Sequence, residues 1–258
     1  MLSDGPVTTC HCADARSDEA IRGALRGERA ALLLTDPPYC LLTRRRRQGE
    51  PRDPKGRKIE GEPVLRFESV RDYRKFTEEW LPVAARHTDG PLILWTNFLG
   101  KEPLLSTARG CGWAHLAGEY AWAKLPGKRS AVLGANEELA RIYEVALVLL
   151  REPLPPPAPA DPPRPWAALA GYDDDGEAEN WGSHPNHKPF GVLESLLRAW
   201  SRPGDLVLDP FAGSGSIPAA ALRLGRRAAC LEVRPEWAER ATRRLSGIRP
   251  MPAREPVG

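Results

Sequence analysis

Three observations predict a doubly wound α/β fold built on a mostly parallel sheet. From residue 206 onward, apolar strand-like runs at 206–208 and 228–231 alternate with helical patterns at 217–224 and 235–245. These runs are short and continuous rather than alternating, which is typical of strands buried on both faces of a sheet. The length of 258 residues suits a single domain with small inserts.

Similar patterns fill the rest of the chain. The predicted strands are 30–34, 92–95, 117–122 and 143–150, and the predicted helices are 70–85, 102–109 and 192–200. Residues 1–150 therefore form one half of the domain, with an insert at 41–66, and residues 183–250 form the other half. The segment 151–182 between them is rich in proline and partly acidic, which predicts a linker or a small insert.

Composition excludes several classes of protein. Lys and Arg number 37 against 34 Asp and Glu, so the net charge of +3 does not by itself indicate nucleic-acid binding. The hydrophobic share of 41% excludes wholesale disorder, and the longest apolar run, 145–150, is too short to cross a bilayer. We expect no signal peptide. Five cysteines without framework spacing predict a reducing, cytoplasmic setting.

The turn at 209–216 has the features of a nucleotide-binding loop. It follows a predicted strand and reads Asp-Pro-Phe-Ala-Gly-Ser-Gly-Ser. We expect Gly213 and Gly215 to adopt positive φ and to let the backbone approach a ligand. Glu232 ends the next strand, where a carboxylate can bind ribose hydroxyls. The loop is neither a P-loop nor a GxGxxG fingerprint, and an ordinary strand-to-helix turn is the alternative.

A second polar turn, Asp36-Pro37-Pro38-Tyr39, also follows an apolar strand. The two prolines stiffen the turn and place the Asp36 carboxylate beside a backbone carbonyl, so that two acceptors lie together. Such a pair suits the two N–H groups of an exocyclic amine, and the following aromatic ring can stack on the base. The alternative is a structural turn with a packed tyrosine.

The two turns lie far apart in sequence but are expected to meet. In open α/β sheets, ligands bind beyond the carboxyl ends of the strands, at the point where the strand order reverses. If the strands before Asp36 and Asp209 are neighbours at that point, both turns line one crevice.

These turns and three further segments resemble the S-adenosylmethionine-dependent amino-methyltransferases of DNA. The order matches the permuted (beta) class, in which the DPPY motif precedes the FAGSG motif. The further segments are Cys12-Ala13-Asp14-Ala15, His184-Pro185-Asn186-His187-Lys188-Pro189 and residues 231–237. The chain departs from the family's pattern at Cys40, Asn186, His187 and Ser216.

The resemblance implies a Rossmann-like methyltransferase fold and transfer of a methyl group from S-adenosylmethionine to the N6 amine of adenine in double-stranded DNA. The base would be flipped out of the duplex, and the methyl group would move by direct displacement. The implied catalytic residues are Asp36, Pro37, Pro38 and Tyr39. The implied cofactor-binding residues are Asp14, His187, Lys188, Pro189, Asp209, Phe211, Ala212, Gly213, Ser214, Gly215, Ser216 and Glu232.

The insert after the DPPY turn is the first candidate for contacts with DNA phosphates. Its basic residues include Arg44, Arg45, Arg46, Arg47, Lys55 and Lys58. The alternative is a solvated charge run. The segment 151–182 is too short for a separate recognition domain, so recognition could be minimal, use the insert, or need a homodimer or another partner.

Three other functions stay open at this stage. The enzyme could methylate cytosine N4 or RNA adenine, or the chain could be a non-catalytic nucleic-acid-binding protein that keeps the fold. No metal site is expected, because Cys10-His11-Cys12 lacks a matching second pair of ligands.

Overall fold

The computed structural model describes residues 9–40, 67, 69–125, 143–154, 169–172, 181 and 187–251. The strands are β1 (Cys10–Cys12), β2 (Leu32–Thr35), β3 (Leu92–Thr96), β4 (His115–Leu125), β5 (Tyr143–Leu150), β6 (Leu169–Tyr172), β7 (Leu206–Asp209) and β8 (Arg227–Glu232). The α-helices are α1 (Asp18–Ala24), α2 (Val70–Arg86), α3 (Lys101–Gly110), α4 (Phe190–Trp200), α5 (Ser216–Arg223) and α6 (Pro235–Ser246), and one 3-10 turn covers Phe98–Gly100.

The eight strands form one sheet in the order β1-β8-β7-β2-β3-β5-β4-β6. The first five strands of this order are parallel to one another, and β5 runs antiparallel to both of its neighbours. The chain leaves β7 toward β8 and leaves β2 toward β3, in opposite directions along the sheet. The strand order therefore reverses between β7 and β2, which makes this the topological switch point. The predicted doubly wound, mostly parallel fold is confirmed.

Helices cover both faces of the sheet because the central strands are apolar on both sides. Leu32 and Leu34 join the core formed with α4, α5 and α6, whereas Leu33 joins the core formed with α1, α2 and α3. Each of these leucines is fully buried. Burial on two faces explains why β2 is a continuous apolar run without polar alternation.

The strands and helices predicted from the sequence lie where the structure has them, with ends that differ by a few residues. Three elements were not predicted, namely β1, α1 and β6. The division of the chain at 151–182 stays a prediction, and the insert 41–66 lies outside the described residues. Within the described part, no helix has the length and apolarity needed to cross a membrane.

Candidate active site

The two polar turns lie side by side at the carboxyl edge of the sheet. Strands β2 and β7 are parallel neighbours, with Leu32 opposite Val207 and Leu33 opposite Leu208. The Thr35 hydroxyl donates a hydrogen bond to the Asp209 carboxylate at 2.7 Å, which joins the end of β2 to the end of β7. The prediction that these turns share one crevice at the switch point is confirmed.

A cavity of about 640 Å³ opens at this edge and receives residues from both turns. Its lining includes nine of the predicted site residues: Asp14, Asp36, Pro38, Phe211, Ala212, Gly213, Ser214, Ser216 and Glu232. The other predicted residues that the structure describes lie outside this lining: Pro37, Tyr39, His187, Lys188, Pro189, Asp209 and Gly215. One cavity therefore contains both the carboxylate of the first turn and the backbone of the second.

The glycine-rich turn has the backbone conformation that its sequence predicts. Gly213 has φ of 51° and Gly215 has φ of 79°, both in the left-handed region. At Gly215 space is also short, because an added Cβ would come within 3.2 Å of Ala241 Cβ on α6. Helix α5 begins directly afterwards at Ser216. Glycine thus lets the loop turn tightly and pack against α6, while the Gly213 N–H donates to Glu232 and the Gly215 N–H donates to the Ala212 carbonyl.

Glu232 is fixed at the end of β8 by backbone donors. One carboxylate oxygen accepts from the N–H of Gly213, and the other accepts from the N–H of Arg234, each at 2.9 Å. Burial raises the pKa of this carboxyl above its ordinary value, and the two backbone donors oppose that rise. The side chain is thereby oriented at the cavity with acceptor capacity left for a ligand.

Asp209 acts as a brace beneath the loop rather than as part of the cavity wall. Its Oδ1 accepts from the Thr35 hydroxyl and from the N–H of Phe211 at 3.2 Å. Among the described residues, no donor reaches its buried Oδ2. Burial raises the pKa of this carboxyl to about 7.

Asp36 belongs to a buried network of four ionisable side chains. Its Oδ2 forms an ion pair with the Lys188 ammonium. Lys188 Nζ also lies 2.9 Å from Glu144 Oε2, and the Tyr39 hydroxyl donates to that same oxygen at 3.0 Å. Within the part of the chain that the structure describes, the buried Oδ1 of Asp36 has no hydrogen-bond partner. Asp36, a residue of the cavity lining, therefore has one oxygen held in an ion pair and a second oxygen with acceptor capacity left.

Asp14 lies on the opposite side of the cavity and is bound by a neighbour. Arg16 forms a forked pair with its carboxylate, with the shortest contact at 2.7 Å, and lies 3.1 Å from Glu79 on α2. The Arg16 guanidinium lowers the pKa of the Asp14 carboxyl. Arg16 and Glu79 were not predicted, although both line the cavity.

Glu144 and Thr35 are the other site residues that were missed from the sequence. Glu144 is near the start of the antiparallel strand β5, so it lies at the same edge as the ends of β2 and β3. Only a weak signal in the sequence indicated that Glu144 belongs to the site, namely its position in a predicted strand that follows a polar segment. The predicted phosphate-binding residues Arg44, Arg45, Arg46, Arg47, Lys55 and Lys58 lie outside the described residues, as do His184, Pro185 and Asn186.

Comparison with known proteins agrees with this geometry. Residues 157–243 match the family model described as DNA methylase. The provisionally named methylase YubD of Escherichia coli (strain K12) is 26% identical over 228 residues, which covers 86% of this chain and 84% of that protein.

Two solved structures have the same fold. The complex of M1.HpyAVI with SAM has a TM-score of 0.62 at 19% identity, covering 92% of this chain and 98% of that chain. The cytosine-N4-specific PvuII DNA methyltransferase has a TM-score of 0.63 at 17% identity, covering 93% and 89%.

The fold is therefore that of the Rossmann-like methyltransferases, and a cavity lies at the switch point of its sheet. The family match supports, more narrowly, a DNA methyltransferase of the N6/N4 type, and the curated relative supports a methylase; neither match distinguishes adenine N6 from cytosine N4.

Proposed function

We propose that this protein transfers a methyl group from S-adenosylmethionine to the N6 amine of adenine in double-stranded DNA. One observation carries the proposal: Asp36, which has one carboxylate oxygen without a hydrogen-bond partner among the described residues, lines the same cavity as Glu232 and the glycine-rich turn. An amine acceptor site and a nucleoside site in one cavity are what amino-methyl transfer requires.

The residues of the cofactor half fit a nucleoside that carries a charged sulfur. Glu232 is held by two backbone donors in an orientation suited to ribose hydroxyls. Phe211 lines the cavity, and Trp80 and Phe76 support its ring at centroid distances of 4.9 and 5.9 Å. Asp14 and Arg16 close the far side. Apolar, aromatic and acidic surfaces thus surround the proposed cofactor.

The chemistry needs only a well-placed acceptor site on the protein. When bound, S-adenosylmethionine would supply a methyl group from its sulfonium, whose sulfur would keep the carbon–sulfur electron pair, and the proton released by the amine would pass by way of Asp36 to water. Asp36 Oδ1 and the Pro37 carbonyl accept the two amine hydrogens, which draws the nitrogen lone pair out of the ring system. Tyr39 is held by Glu144, so its ring has a fixed place for stacking on the base. Catalysis is positioning and electrostatics.

Adenine N6 is the proposed acceptor, and the DPPY form of the motif supports it through the resemblance described above. Cytosine N4 is the second candidate, because the PvuII enzyme with the same fold is specific for that position. Both acceptors are exocyclic amines with two N–H donors, so Asp36 and Pro37 would serve either one. RNA, a homodimer and cytoplasmic location stay predictions of the sequence alone.

Mass analysis of nucleosides tests the proposal directly. Purified protein is incubated with duplex DNA and S-adenosylmethionine, and the digested DNA is examined for methylated bases. N6-methyladenine supports the proposal, and N4-methylcytosine selects the second candidate. Methylation of RNA alone, or of nothing, refutes the proposed DNA activity.

The carboxylate of Glu232 gives a separate test of the cofactor site. The substitution Glu232→Gln keeps the shape of the side chain but removes its charge and replaces one acceptor oxygen with a donor. We therefore expect S-adenosylmethionine to bind about tenfold more weakly. Calorimetric titration measures the affinity. The matched variant Glu239→Gln on α6, which is exposed, should bind as the wild type does. Equal affinity in E232Q would place the nucleoside elsewhere.

An exposed aromatic side chain marks the expected DNA-facing edge. Phe98 directly follows β3 and is 73% exposed. The Asn97 amide donates to the Cys40 carbonyl at 2.6 Å, so the turn that carries Phe98 is tied to the residue after the DPPY turn. An exposed aromatic ring on this turn can stack on bases at the site of flipping.

We expect Phe98→Ala to raise the KM for duplex DNA about tenfold, with the affinity for S-adenosylmethionine unchanged. The control is Leu116→Ala, an exposed apolar residue at the opposite edge of the sheet, which should leave the KM unaltered. If the two variants behave alike, DNA does not approach along the edge that carries Phe98.

A further inference from the structure

Lys188 was predicted to bind the cofactor, but in the structure it is a buried cation that does not line the cavity. Its side chain is 1% exposed, and it is absent from the cavity wall. Its ammonium instead contacts carboxylates from two other parts of the fold, Asp36 after β2 and Glu144 on β5. A buried ammonium is stable only when opposite charges and acceptors satisfy it, so these contacts fix where Lys188 can be.

Aromatic rings enclose this ammonium on further sides. Lys188 Nζ lies 5.3 Å from the ring centroid of Trp95 and 5.7 Å from that of Tyr39. Such rings attract a cation and keep water away from it. The carboxylate group of a methionine-like ligand in the cavity would have to compete with two carboxylates already in contact. These contacts therefore group Lys188 with the residues proposed to bind the acceptor amine rather than with those proposed to bind the cofactor.

The contacts of Lys188 determine how Asp36 is presented. With Oδ2 in the ion pair, the carboxylate cannot rotate freely, and Oδ1 is the oxygen whose hydrogen-bonding capacity stays unused among the described residues. Glu144 uses a single oxygen, Oε2, to bind both Lys188 and the Tyr39 hydroxyl. Burial raises the pKa of Tyr39 well above its ordinary value, so this hydroxyl stays protonated and donates. One carboxylate thus fixes the cation and the stacking ring together.

We propose that Lys188 and Glu144 are positioning residues for methyl transfer, with Lys188 aligning the Asp36 carboxylate and Glu144 holding Lys188 and Tyr39 in place. The proposal rests on the proposed function and deepens it, because it moves Lys188 from the cofactor side of the site to the acceptor side. Neither residue is required to touch the cofactor or to accept the transferred group.

The charges around Asp36 make the proposal testable by pH. The groups that face it are Lys188, Glu144 on β5, Tyr39 in its own turn, Asp209 on β7 and Tyr73 on α2. Burial raises the pKa of Asp36, the Lys188 ammonium lowers it, and Glu144 raises it further. Asp36 must be ionised to accept the amine hydrogens, so the acid limb of the rate profile follows its pKa.

Two substitutions should therefore move that limb in opposite directions. In Lys188→Met the ammonium is lost, the pKa of Asp36 rises, and the acid limb shifts to higher pH, with the single-turnover rate at neutral pH down about 100-fold. In Glu144→Gln a carboxylate is lost, the pKa of Asp36 falls, and the limb shifts to lower pH, with a rate loss of about tenfold. Affinity for S-adenosylmethionine should stay within twofold in both variants.

Three controls separate this role from a purely structural one. Lys188→Arg keeps the charge and should return the acid limb toward its wild-type position, even if K188M proves too unstable to assay. Lys101→Met and Glu119→Gln break a partly exposed lysine–glutamate pair, whose atoms lie 2.6 Å apart, outside this network, and should leave the limb in place. Thermal unfolding of each variant records its stability.

The outcomes are distinct. Opposite limb shifts with unchanged cofactor affinity support the proposal. A loss of cofactor affinity in K188M that accounts for its loss of rate would overturn it and return Lys188 to the cofactor side. Rate losses without any shift of the limb in E144Q would also overturn it. If the wild-type protein binds S-adenosylmethionine but methylates no nucleic acid, it is the proposed function that fails, before any variant is compared.

Discussion

Replacing Asp36 by alanine is expected to reduce methyl transfer to DNA by about 1,000-fold or more, because it removes the carboxylate that is proposed to accept a hydrogen of the acceptor amine. Affinity for S-adenosylmethionine should change less than threefold, since the cofactor contacts lie on the other strands. Lys188 keeps its pair with Glu144, so the protein should remain folded. Tritium transfer to duplex DNA and calorimetry measure the two quantities.

Two further variants sharpen this test of Asp36. Asp36→Asn keeps the shape but exchanges an acceptor for a donor on one side, and it should be nearly as inactive as D36A. Asp89→Asn removes an exposed carboxylate that pairs with surface Arg29, and its activity should equal that of the wild type. Methylation by D36A at more than about one-tenth of the wild-type rate would show that this carboxylate is not the acceptor.

The second large effect is on stability and comes from Asp209. Its folded-state pKa of about 7 lies above the ordinary value of 3.8, so the folded protein holds this proton more tightly than the unfolded chain. The contribution of Asp209 to stability is therefore greatest below about pH 4, declines as the pH rises toward 7, and levels off above that. The linked change in the free energy of unfolding is about 4 kcal/mol as an upper bound.

Denaturant unfolding at a series of pH values checks the prediction for Asp209. Other carboxyls titrate in the same range, and Glu232 contributes with the same sign, so the informative quantity is the difference between the wild type and Asp209→Asn. The asparagine cannot ionise, so D209N should gain stability relative to the wild type between pH 4 and pH 7. A difference that stays constant with pH would mean that Asp209 is ionised throughout.

Patterns of a few neighbouring residues were sufficient to predict the central strands of the sheet. Apolar runs that end at Asp-Pro turns predicted β2 and β7, and the switch-point rule then predicted that Asp36 and Asp209 would lie together. This inference requires only that ligands bind beyond the carboxyl ends of parallel strands, which lie at one edge of the sheet. The positive φ of Gly213 and Gly215 followed in the same way, from a tight turn between a strand and a helix.

Other parts of the fold and site depend on tertiary contacts that no local pattern reports. The strand β1 has only three residues, and its hydrogen bonds come from β8, more than 200 positions away. Helix α1 is only two turns long, too short for a clear apolar period. Glu144 reaches the site because β5 is antiparallel, and Lys188 is held beside Asp36 because two carboxylates contact its ammonium.

The pairing of β1 with β8 ties the beginning of the described chain to its end. The Cys10 N–H donates to the Thr242 hydroxyl at 3.0 Å, and the Ala13 N–H donates to the Glu232 carbonyl at 3.1 Å. During synthesis on the ribosome, β1 therefore cannot pair within the sheet until β8 has been synthesised. For the same reason, a separately expressed fragment containing only residues 183–251 would lack both the flanking strand and the wall that carries Asp14, and it should not retain the nucleoside site.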